Sequence, residues 1–562
     1  MKKMVLFLFC LMLLGMTNQV EVGMGAELVG TWKADATTGS LGSSNVGSGG
    51  LLSAGWSDFT LVLNSDGTYL VSGHNAFGIP PYNPDSTLTI THYGFYTIDE
   101  SQSPMHIDLL FVWSDNTFFT PYESQPSIFE LTDGGASLKI AFGSSQFGIP
   151  RPTEFETSGN ILAKQPSIQD ALIGTWVADS THGSLGSTTP GSGSLLTSGW
   201  SDYRLAINDG GSYLVSGHNA FGIPPYNPDS TLTITHRGIV NVDVSQTPPH
   251  IDIFYFLSDN TFFGPYESQP SIYELTDGDQ TMKIAFGSSQ FGIPRPTDFA
   301  ASGNLLAKQT PIPLEAVGTW LADSTHGSLG STVPGSGSLL TSGWSDYRLA
   351  VGRSGTYLVG GHNAFGIPPY NPDSTLTITH DGFATVDATQ TPAWIDLSFV
   401  KSDNTFFTAY ESQPSIYEVF NSGALMKIAF GSSQFGIPRP TEFETSGNIL
   451  EKQISLITAI NEGRAINQTP SNYSLVQNYP NPFNPETKIE FSLQKSGRVE
   501  ISIYNLLGQE IITLVNEVKS PGKYQVKWNG KNRYGTDVSS GIYFYQMKTE
   551  NFTDMKKMML IR

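Results

Sequence analysis

Cysteine is nearly absent from this 562-residue chain. Its one cysteine, Cys10, lies in an apolar stretch close to the N-terminus. Basic residues are also scarce, because residues 27–455 hold 15 lysines and arginines against 40 aspartates and glutamates, a net charge of −25. The shortage of cysteine excludes a disulfide framework and thiolate chemistry from the rest of the chain. The acidic excess excludes nucleic acid as a partner, because a polyanion is repelled.

Long hydrophobic runs are absent beyond the first residues. The segment MKKMVLFLFCLMLLGM has two lysines followed by about a dozen apolar residues, and small residues follow at 22–26. This run is shorter than the roughly 20 residues that span a bilayer. The pattern indicates a secretory signal peptide over residues 1–26. A transmembrane anchor is the alternative, and we expect no transmembrane segment in the mature chain.

The chain contains three copies of one sequence. The segment HNAFGIPPYNPDSTLTITH begins at His74 and recurs unchanged at His218 and His362, a period of 144 residues. We place the copies at 27–165, 171–309 and 315–453. This period is too long for a solenoid unit and is the size of a domain. We therefore expect three separate domains, arranged like beads, each with its own core.

Each copy shows the pattern of an all-β domain. In the first copy, about nine short runs of β-branched and apolar residues are separated by turn residues, and no run predicts a helix. In TLTITH, Ile90 and His92 share one strand face and Thr89 and Thr91 share the other. The pattern predicts a small closed antiparallel barrel or a sandwich.

A resemblance favours the barrel. Gly-Thr-Trp opens the first strand at Trp32, and Arg151-Pro-Thr-Glu-Phe precedes the last strand. This arrangement resembles lipocalin-like barrels, which implies that Arg151 stacks on the Trp32 indole and closes the barrel floor. Together with Ile107-Asp-Leu, Ile128-Phe-Glu-Leu and Leu138-Lys-Ile, it also resembles a lipocalin-like repeat domain of unknown function common in planctomycetes. That resemblance implies a fold and no activity.

The repeated segment suggests a ligand-binding loop. Pro80, Pro81 and Pro84 fix three φ angles, so Phe77 and Tyr82 stand on a stiff loop that loses little entropy on binding. The echo of Phe-Gly-Ile-Pro at 147–150 indicates that two such loops meet at one end of the barrel. The predicted ligand-binding residues are Trp56, His74, Asn75, Phe77, Tyr82, Asn83, Trp200, His218, Asn219, Phe221, Tyr226, Asn227, Trp344, His362, Asn363, Phe365, Tyr370 and Asn371. Trp56 and its equivalents are either core residues or exposed stacking platforms.

The sequence gives little support to a catalytic or metal-binding site. His74 and His92, with Asp108 across the sheet, are metal-capable residues, yet their spacing matches no ligand motif and a core histidine explains His92. The serines of Gly143-Ser-Ser-Gln-Phe-Gly do not match a nucleophile elbow. A glycosidase pair such as Glu123 with Glu130 cannot be judged without a separation. We expect no catalytic residue, no metal and no cofactor.

The composition changes after residue 472. This part of the chain contains five characteristic segments: Asn478-Tyr-Pro-Asn-Pro-Phe-Asn-Pro, Ile503-Tyr-Asn-Leu-Leu-Gly-Gln, Trp528-Asn-Gly, Ser540-Gly-Ile-Tyr and Lys557-Met-Met-Leu. Together they closely resemble the C-terminal sorting domain of the type IX secretion system. The resemblance implies recognition by that secretion machinery. Alternating runs such as KIEFSL and VEISIYN predict about seven strands of a β-sandwich over residues 473–562. Residues 454–472 are the expected linker.

The sequence therefore predicts an all-β protein of three tandem lipocalin-like antiparallel β-barrels followed by an immunoglobulin-like β-sandwich sorting domain. We expect export to the periplasm by the signal peptide, and then secretion or residence at the outer cell surface. The predicted function is non-catalytic binding of a polysaccharide or a small apolar ligand at three equivalent sites. A structural or adhesive surface spacer is the alternative. A hydrolase would need clustered carboxylates or histidines in an open barrel, whereas a filled barrel interior favours the spacer.

Overall fold

The computed structural model describes residues 27–42, 50–76, 88–115, 120–155, 159–186, 194–220, 232–259, 266–299, 303–330, 338–340, 342–363, 376–402, 411–443, 448–453, 474–475, 478, 483, 485, 487–493, 495, 497–505, 509–519, 522–533, 536–549 and 552–561. They fall into two compact units, one within residues 1–460 and one within 461–562. The first unit contains three barrels, and the second contains two sheets.

Barrel one is a closed, up-and-down, eight-stranded barrel. Its strands are β1 (Gly30–Ala34), β2 (Phe59–Leu63), β3 (Thr68–Asn75), β4 (Leu88–Asp99), β5 (Met105–Ser114), β6 (Ser124–Thr132), β7 (Ser137–Phe142) and β8 (Asn160–Lys164). Each strand pairs antiparallel with the next, and β8 pairs with β1 to close the barrel. A 3-10 turn at Asp133–Gly135 is the one named helical element among the described residues. The predicted all-β closed barrel is confirmed.

Barrels two and three repeat this topology. Barrel two consists of β9 (Gly174–Ala178), β10 (Tyr203–Ile207), β11 (Ser212–Asn219), β12 (Leu232–Asp243), β13 (His250–Ser258), β14 (Ser268–Thr276), β15 (Thr281–Phe286) and β16 (Asn304–Lys308). Barrel three consists of β17 (Gly318–Ala322), β18 (Trp344–Val351), β19 (Thr356–Asn363), β20 (Leu376–Asp387), β21 (Ala393–Ser402), β22 (Ser412–Phe420), β23 (Leu425–Phe430) and β24 (Asn448–Lys452).

The structure joins two of the nine predicted strands of each copy. TLTITH and GFYTID form one strand, β4, whose pairing with β5 shifts register between Tyr93 and Gly94. A side chain on Gly94 would place a Cβ 1.9 Å from the carbonyl oxygen of Leu110. Gly94 therefore marks a bulge with close backbone approach.

The barrel interiors are filled by side chains. Trp32, Phe129 and Ile140 are fully buried in barrel one, and Tyr69 and Phe111 are 2% exposed. The equivalent residues form a separate core in each of the other barrels. Burial of this much aromatic and aliphatic surface is the main stabilising contribution to each barrel.

A lysine covers the first-strand tryptophan. Lys164 Nζ lies 5.0 Å from the centre of the Trp32 ring, and Trp32 Nε1 donates a hydrogen bond to the Leu28 carbonyl. The predicted stacking of Arg151 on Trp32 is wrong. Arg151 Nη2 instead donates to both carboxylate oxygens of Asp108, at 2.7 and 2.9 Å. The cation–π contact is retained with a different cation from the last strand.

The three barrels pack together as a closed ring and are not separate beads. The first-strand threonine of each barrel donates a hydrogen bond to a turn carbonyl of the next barrel. These bonds are Thr31 Oγ1 to Gly210 O at 2.8 Å, Thr175 Oγ1 to Ser354 O at 2.6 Å, and Thr319 Oγ1 to Asp66 O at 2.6 Å. Because equivalent residues make all three contacts, the barrels are related by a threefold pseudo-axis, and the third barrel closes on the first.

The axis of the ring has its own buried core. Val62, Tyr93 and Phe95 of barrel one pack with Phe256 of barrel two and Leu358 of barrel three. A cavity of about 70 Å³ lies where the three barrels meet. Its lining includes the following residues of all three barrels: Asn64, Asp66, Asn208, Arg237, Thr356 and Asp381. This cavity is therefore between the barrels and not inside one.

The second unit is a two-sheet domain. Its strands are β25 (Ser474–Leu475), β26 (Thr487–Leu493), β27 (Gly497–Asn505), β28 (Glu510–Lys519), β29 (Gly522–Trp528), β30 (Gly541–Lys548) and β31 (Thr553–Leu560). One sheet has the order β25-β26-β29 and the other β28-β27-β30-β31. Trp528 of the first sheet and Tyr545 of the second lie in a single buried core. The predicted seven strands are confirmed.

Candidate functional site

The connections of each barrel differ in length at its two ends. In barrel one, residues 35–58, 76–87, 115–123 and 143–159 connect strands at one end, which we call the long-loop end. Residues 64–67, 100–104 and 133–136 make the turns at the opposite end. Neighbouring barrels touch through like ends, because Thr31 bonds to the short turn at Gly210 and His74 packs on Tyr266 at the long-loop end, so the three long-loop ends lie on one face of the ring. Loops carried by a rigid barrel are common sites of binding.

The centre of the predicted binding loop is outside the described residues. This applies to Phe77, Tyr82, Asn83, Phe221, Tyr226, Asn227, Phe365, Tyr370 and Asn371. The strands that flank the loop in barrel one, β3 and β4, are described, and they pair from Asn75 with Leu88 inward. The loop therefore connects β3 to β4 at the long-loop end.

The tryptophan of the predicted site belongs to the core. Trp56 is 7% exposed and meets Phe59 edge to face, with ring centres 5.1 Å apart. Gly73 lies directly against the indole, because an added Cβ would come within 2.9 Å of its ring carbons. Trp200 and Trp344 are buried in the same way. Of the two alternatives for Trp56, the structure favours the core residue. The prediction that these three tryptophans contact a ligand is therefore corrected, because their rings pack in the barrel cores.

The first asparagine of the loop is also structural. Asn75 is 5% exposed, and its Nδ2 donates a hydrogen bond to the carbonyl of Ala54 at 3.0 Å. Asn219 and Asn363 make the same bond to the carbonyls of Ser198 and Ser342. The prediction that these asparagines contact a ligand is corrected. Each amide is buried and already bonded to the backbone, so it holds the start of the loop in place.

The histidine that opens the repeated segment lies at the border between barrels. His74 Nδ1 is 2.5 Å from Asp58 Oδ2, and its ring packs against Tyr266 of barrel two, with ring centres 4.4 Å apart. His362 is likewise bonded to Asp346 and packs on Tyr122 of barrel one. His218 is bonded to Asp202. Each ring is about a third exposed, so His74 and His362 both join barrels and reach solvent.

The histidine that closes the segment is a core residue. His92 is 2% exposed and meets the Phe111 ring edge to face at 4.7 Å. Burial lowers the pKa of His92 to about 3, so the ring is neutral at physiological pH. Asp108 is paired with Arg151 rather than with either histidine. Among the described residues, no three histidine, cysteine, aspartate or glutamate side chains gather as a metal site would require.

An exposed hairpin at the long-loop end was not among the predicted site residues. Residues 144–149 form a tight hairpin in which Ser144 and Ile149 exchange backbone hydrogen bonds of 2.8 Å. Phe147 and Ile149 are 49% and 50% exposed, and the same pair is exposed in barrels two and three. The hairpin is anchored where Ser145 Oγ donates to the carboxylate of Glu123. The signal was the unchanged GSSQFGIPRPT of all three copies.

Comparison with known proteins identifies the second unit. Residues 477–561 match the family model described as a secretion system C-terminal sorting domain. A search of curated proteins finds no match. Among the described residues, none forms a helix with the length and apolar character needed to cross a membrane.

Two solved structures of Porphyromonas gingivalis proteins are similar at low identity. Dimeric latent PorU is 12% identical, with a TM-score of 0.15, and the match covers 64% of this chain but 31% of that chain. PorZ, described as an essential bacterial surface component of the type IX secretion system, is 10% identical, with a TM-score of 0.14, and the match covers 90% of this chain and 80% of that chain. No conclusion about this protein follows at such TM-scores.

Contacts in the second unit join its Asn-Pro-rich entry to its last strand. Phe483 is buried against Trp528, its backbone N–H donates to the carbonyl of Met559, and the hydroxyl of Tyr545 accepts from the N–H of Asn478. The Asn-Pro-rich entry and the last strand are thus tied to one core. The C-terminal residues 477–561 form a sorting domain of the type IX secretion system, and the protein is exported to the cell surface or beyond.

Proposed function

We propose that the exported protein is a non-catalytic binding protein whose ring of barrels offers three equivalent glycan sites on one face. The observation that carries this proposal is the cyclic set of threonine hydrogen bonds, which relates the three long-loop ends by a rotation. Identical sites on one face can engage one polymer together. A single aromatic contact is worth only about 0.5–1.5 kcal/mol, and linkage raises the avidity of three such sites.

Exposed aromatic and polar groups support a glycan as the ligand. Phe147 offers an exposed ring on a hairpin whose backbone is fixed by its own hydrogen bonds. Glu123, Ser145 and the partly exposed His74 place hydrogen-bonding groups at the same end of the barrel. Tyr82 and Phe77 join them by sequence position. Sugar rings present both apolar faces and hydroxyl edges, and this mixture of groups matches them.

The filled interiors favour a ligand on the outside of the barrels. A lipocalin-like function of holding a small apolar molecule needs an open lumen, whereas Trp32, Tyr69 and Phe129 occupy the interior of barrel one. A glycan bound by the loops needs no lumen. The acidic character of residues 27–455 further favours a neutral polymer over an anionic one.

We also propose the route that precedes the sorting step. Residues 1–26 act as the signal peptide for export to the periplasm, and the sorting domain then engages the secretion machinery at the outer membrane. The serine-, asparagine- and threonine-containing linker at 454–472 is the segment where the ring can be separated from the sorting domain.

A structural or adhesive spacer at the cell surface is the second candidate function. The same filled interiors favour it, because three densely packed barrels in a closed ring make a stable body without any ligand. The two candidates differ in what the long-loop face does. The spacer has no need of exposed Phe147 and its equivalents on that face.

A retention experiment on insoluble cellulose, chitin and xylan separates the two functions. The variants are one triple substitution of the hairpin, Phe147→Ala, Phe291→Ala and Phe435→Ala, and one of the loop, Tyr82→Ala, Tyr226→Ala and Tyr370→Ala. Three lost contacts of about 0.5–1.5 kcal/mol each should weaken retention at least tenfold.

Val244→Ala is the matched control, because Val244 is a 54% exposed apolar residue at the short-turn end. It should leave retention unchanged. Retention that both triple variants keep, or that the parent never shows on any of the three polymers, would contradict the glycan proposal and favour the spacer.

A further inference from the structure

Two positions on the ring interface carry a different charge in each copy. The first position follows the buried histidine and is Tyr93, Arg237 or Asp381. The second lies in the first short turn and is Ser65, Asp209 or Arg353. Each set holds one neutral, one basic and one acidic residue, and the order of the two charges is opposite in the two sets. We call them the axial triads.

The members of the first triad touch one another. Arg237 Nη2 donates to Asp381 Oδ2, and Tyr93 Oη donates to Asp381 Oδ1 at 3.2 Å. The Arg237 guanidinium also lies 4.7 Å from the centre of the Tyr93 ring. The side chains of Arg237 and Asp381 are 13% and 3% exposed, so this contact between all three barrels is buried.

The second triad is built in the same way. Ser65 donates to Asp209 through its backbone N–H at 3.1 Å and through its hydroxyl. Arg353 Nη1 lies 3.8 Å from Asp209 Oδ2. As in the first triad, the acidic side chain, here Asp209, contacts a neutral donor, Ser65 of barrel one, and a cation, Arg353 of barrel three.

Three identical charged residues could not occupy either position. Three arginines or three aspartates would bring like charges together in a site with little water, which is strongly unfavourable. Each observed set carries no net charge when the ring contains one copy of each barrel. A ring of three second barrels or of three third barrels is therefore disfavoured, whereas the ring of one, two and three is satisfied.

The closing interface, between barrels three and one, forms between parts of the chain that no linker joins directly. Tyr122 Oη donates to the carbonyl of Ile378 at 3.2 Å, and Thr379 Oγ1 donates to the carbonyl of Val112 at 3.2 Å. Lys401 Nζ lies 4.1 Å from the centre of the Trp113 ring. These contacts join residues more than 250 positions apart in sequence.

We propose that barrel three carries a specific docking face for barrel one, that this interface closes the ring without covalent help, and that the axial triads disfavour rings in which barrel two or barrel three occupies more than one position. The partner of the docking face is barrel one of the same chain. The linkers between barrels then raise the local concentration of the parts but do not hold the ring together.

The test uses the full chain with a protease site inserted after Thr310, an exposed residue of the linker between barrels two and three. After cleavage, the two pieces should elute together in size-exclusion chromatography at the position of the uncut protein. Pieces of the parent chain that separate after cleavage would overturn the proposal.

A matched pair of tyrosine variants examines the closing interface. Tyr122→Ala removes contacts of barrel one with His362 and Ile378 of barrel three, and it should speed release of the third-barrel piece at least tenfold. Tyr266→Ala removes the equivalent contacts with His74 and Ser72 between barrels two and one, and release should stay slow. Equal release rates would count against a specific closing face.

Charge reversal tests the triads. Arg237→Asp and Asp381→Arg each place like charges together and should each promote separation of the cleaved pieces. The double variant restores an ion pair in reverse order and should recover at least part of the stability of the complex. A double variant no better than either single variant would show that charge pairing in the triad does not hold the pieces together, even if the single variants fold poorly.

Discussion

Three buried, neutral histidines in the barrel cores make the stability of the fold depend on pH. Burial lowers the pKa of His92, His236 and His380 to about 3, from an ordinary value of 6.5. Between those values the unfolded chain binds more protons than the folded one. The stability that the neutral rings provide is therefore full above pH 6.5 and is lost progressively as the pH falls toward 3.

Two aspartates act in the opposite direction. Burial raises the pKa of Asp66 and Asp115 to about 6, from 3.8. Here the folded state binds more protons, so these two groups favour the fold as the pH falls from 6 to 3.8. The histidines are more numerous and their pKa values move further, so the net effect of these five groups is acid destabilisation.

The triple variant His92→Phe, His236→Phe and His380→Phe should lose much of that sensitivity. Phenylalanine fills a similar space among the surrounding aromatic rings and takes up no proton. The drop in melting temperature between pH 7 and pH 4.5 should be clearly smaller in this variant than in the parent. His182→Gln, at a largely exposed histidine, is the control and should leave the drop unchanged. An undiminished drop in the triple variant would assign the acid response to other groups.

The candidate site shows what a sequence pattern can tell about single residues. The stiff segment at the long-loop end could be predicted, because proline and the unchanged repeat are visible in sequence. The roles of Trp56 and Asn75 could not, because an aromatic ring or an amide beside a loop can face inward or outward with the same pattern. Their burial depends on Phe59 and Ala54, whose proximity is set by the fold.

At the scale of elements, strand alternation predicted the barrel but divided one strand in two. The runs TLTITH and GFYTID predict separate strands, yet Gly94 lies inside the single strand β4, at the register shift. Sequence alone does not distinguish a turn glycine from one that admits a neighbouring backbone. The position of the Leu110 carbonyl, which comes from β5, makes the difference.

Gly94→Ala should be destabilising for this reason. The new methyl group would overlap the Leu110 carbonyl oxygen, so β4 and β5 must move apart or lose hydrogen bonds near the bulge. Overpacking of this kind costs about 1–3 kcal/mol, which should lower the melting temperature of the ring. Gly238→Ala and Gly382→Ala should behave alike, because the distances to Phe254 O and Ser398 O are 1.8 and 2.0 Å. Three variants that melt like the parent would show that the bulge relaxes freely.

At the scale of the whole molecule, the ring was the feature that sequence did not predict. Its interfaces use outward-facing strand positions, such as Thr91, that look like solvated faces in a single barrel. Thr91 is fully buried, and its hydroxyl donates to the carbonyl of Phe256 in barrel two at 3.4 Å. Recognising such a face requires knowledge of which residues more than a hundred positions away lie against it. The variation at the axial triads was the available signal, and its meaning depends on the threefold arrangement.

Export should depend on the integrity of the sorting domain and not on the ring. Trp528 is 1% exposed, packs with Phe483 and Tyr543, and donates from Nε1 to the carbonyl of Lys531 at 2.8 Å. Trp528→Ala should cost about 3–5 kcal/mol of the stability of this small domain.

In a bacterium with the secretion system, this variant and a deletion of residues 473–562 should both accumulate in the periplasm. The melting temperature of the ring should not change, because within the described ranges its cores contain no residue of the second unit. Cell fractionation with immunodetection gives the answer, and Trp394→Ala, at a 39% exposed tryptophan of barrel three, is the control that should still be exported. Arrival of the deleted chain at the cell surface would mean that the ring carries an export signal of its own.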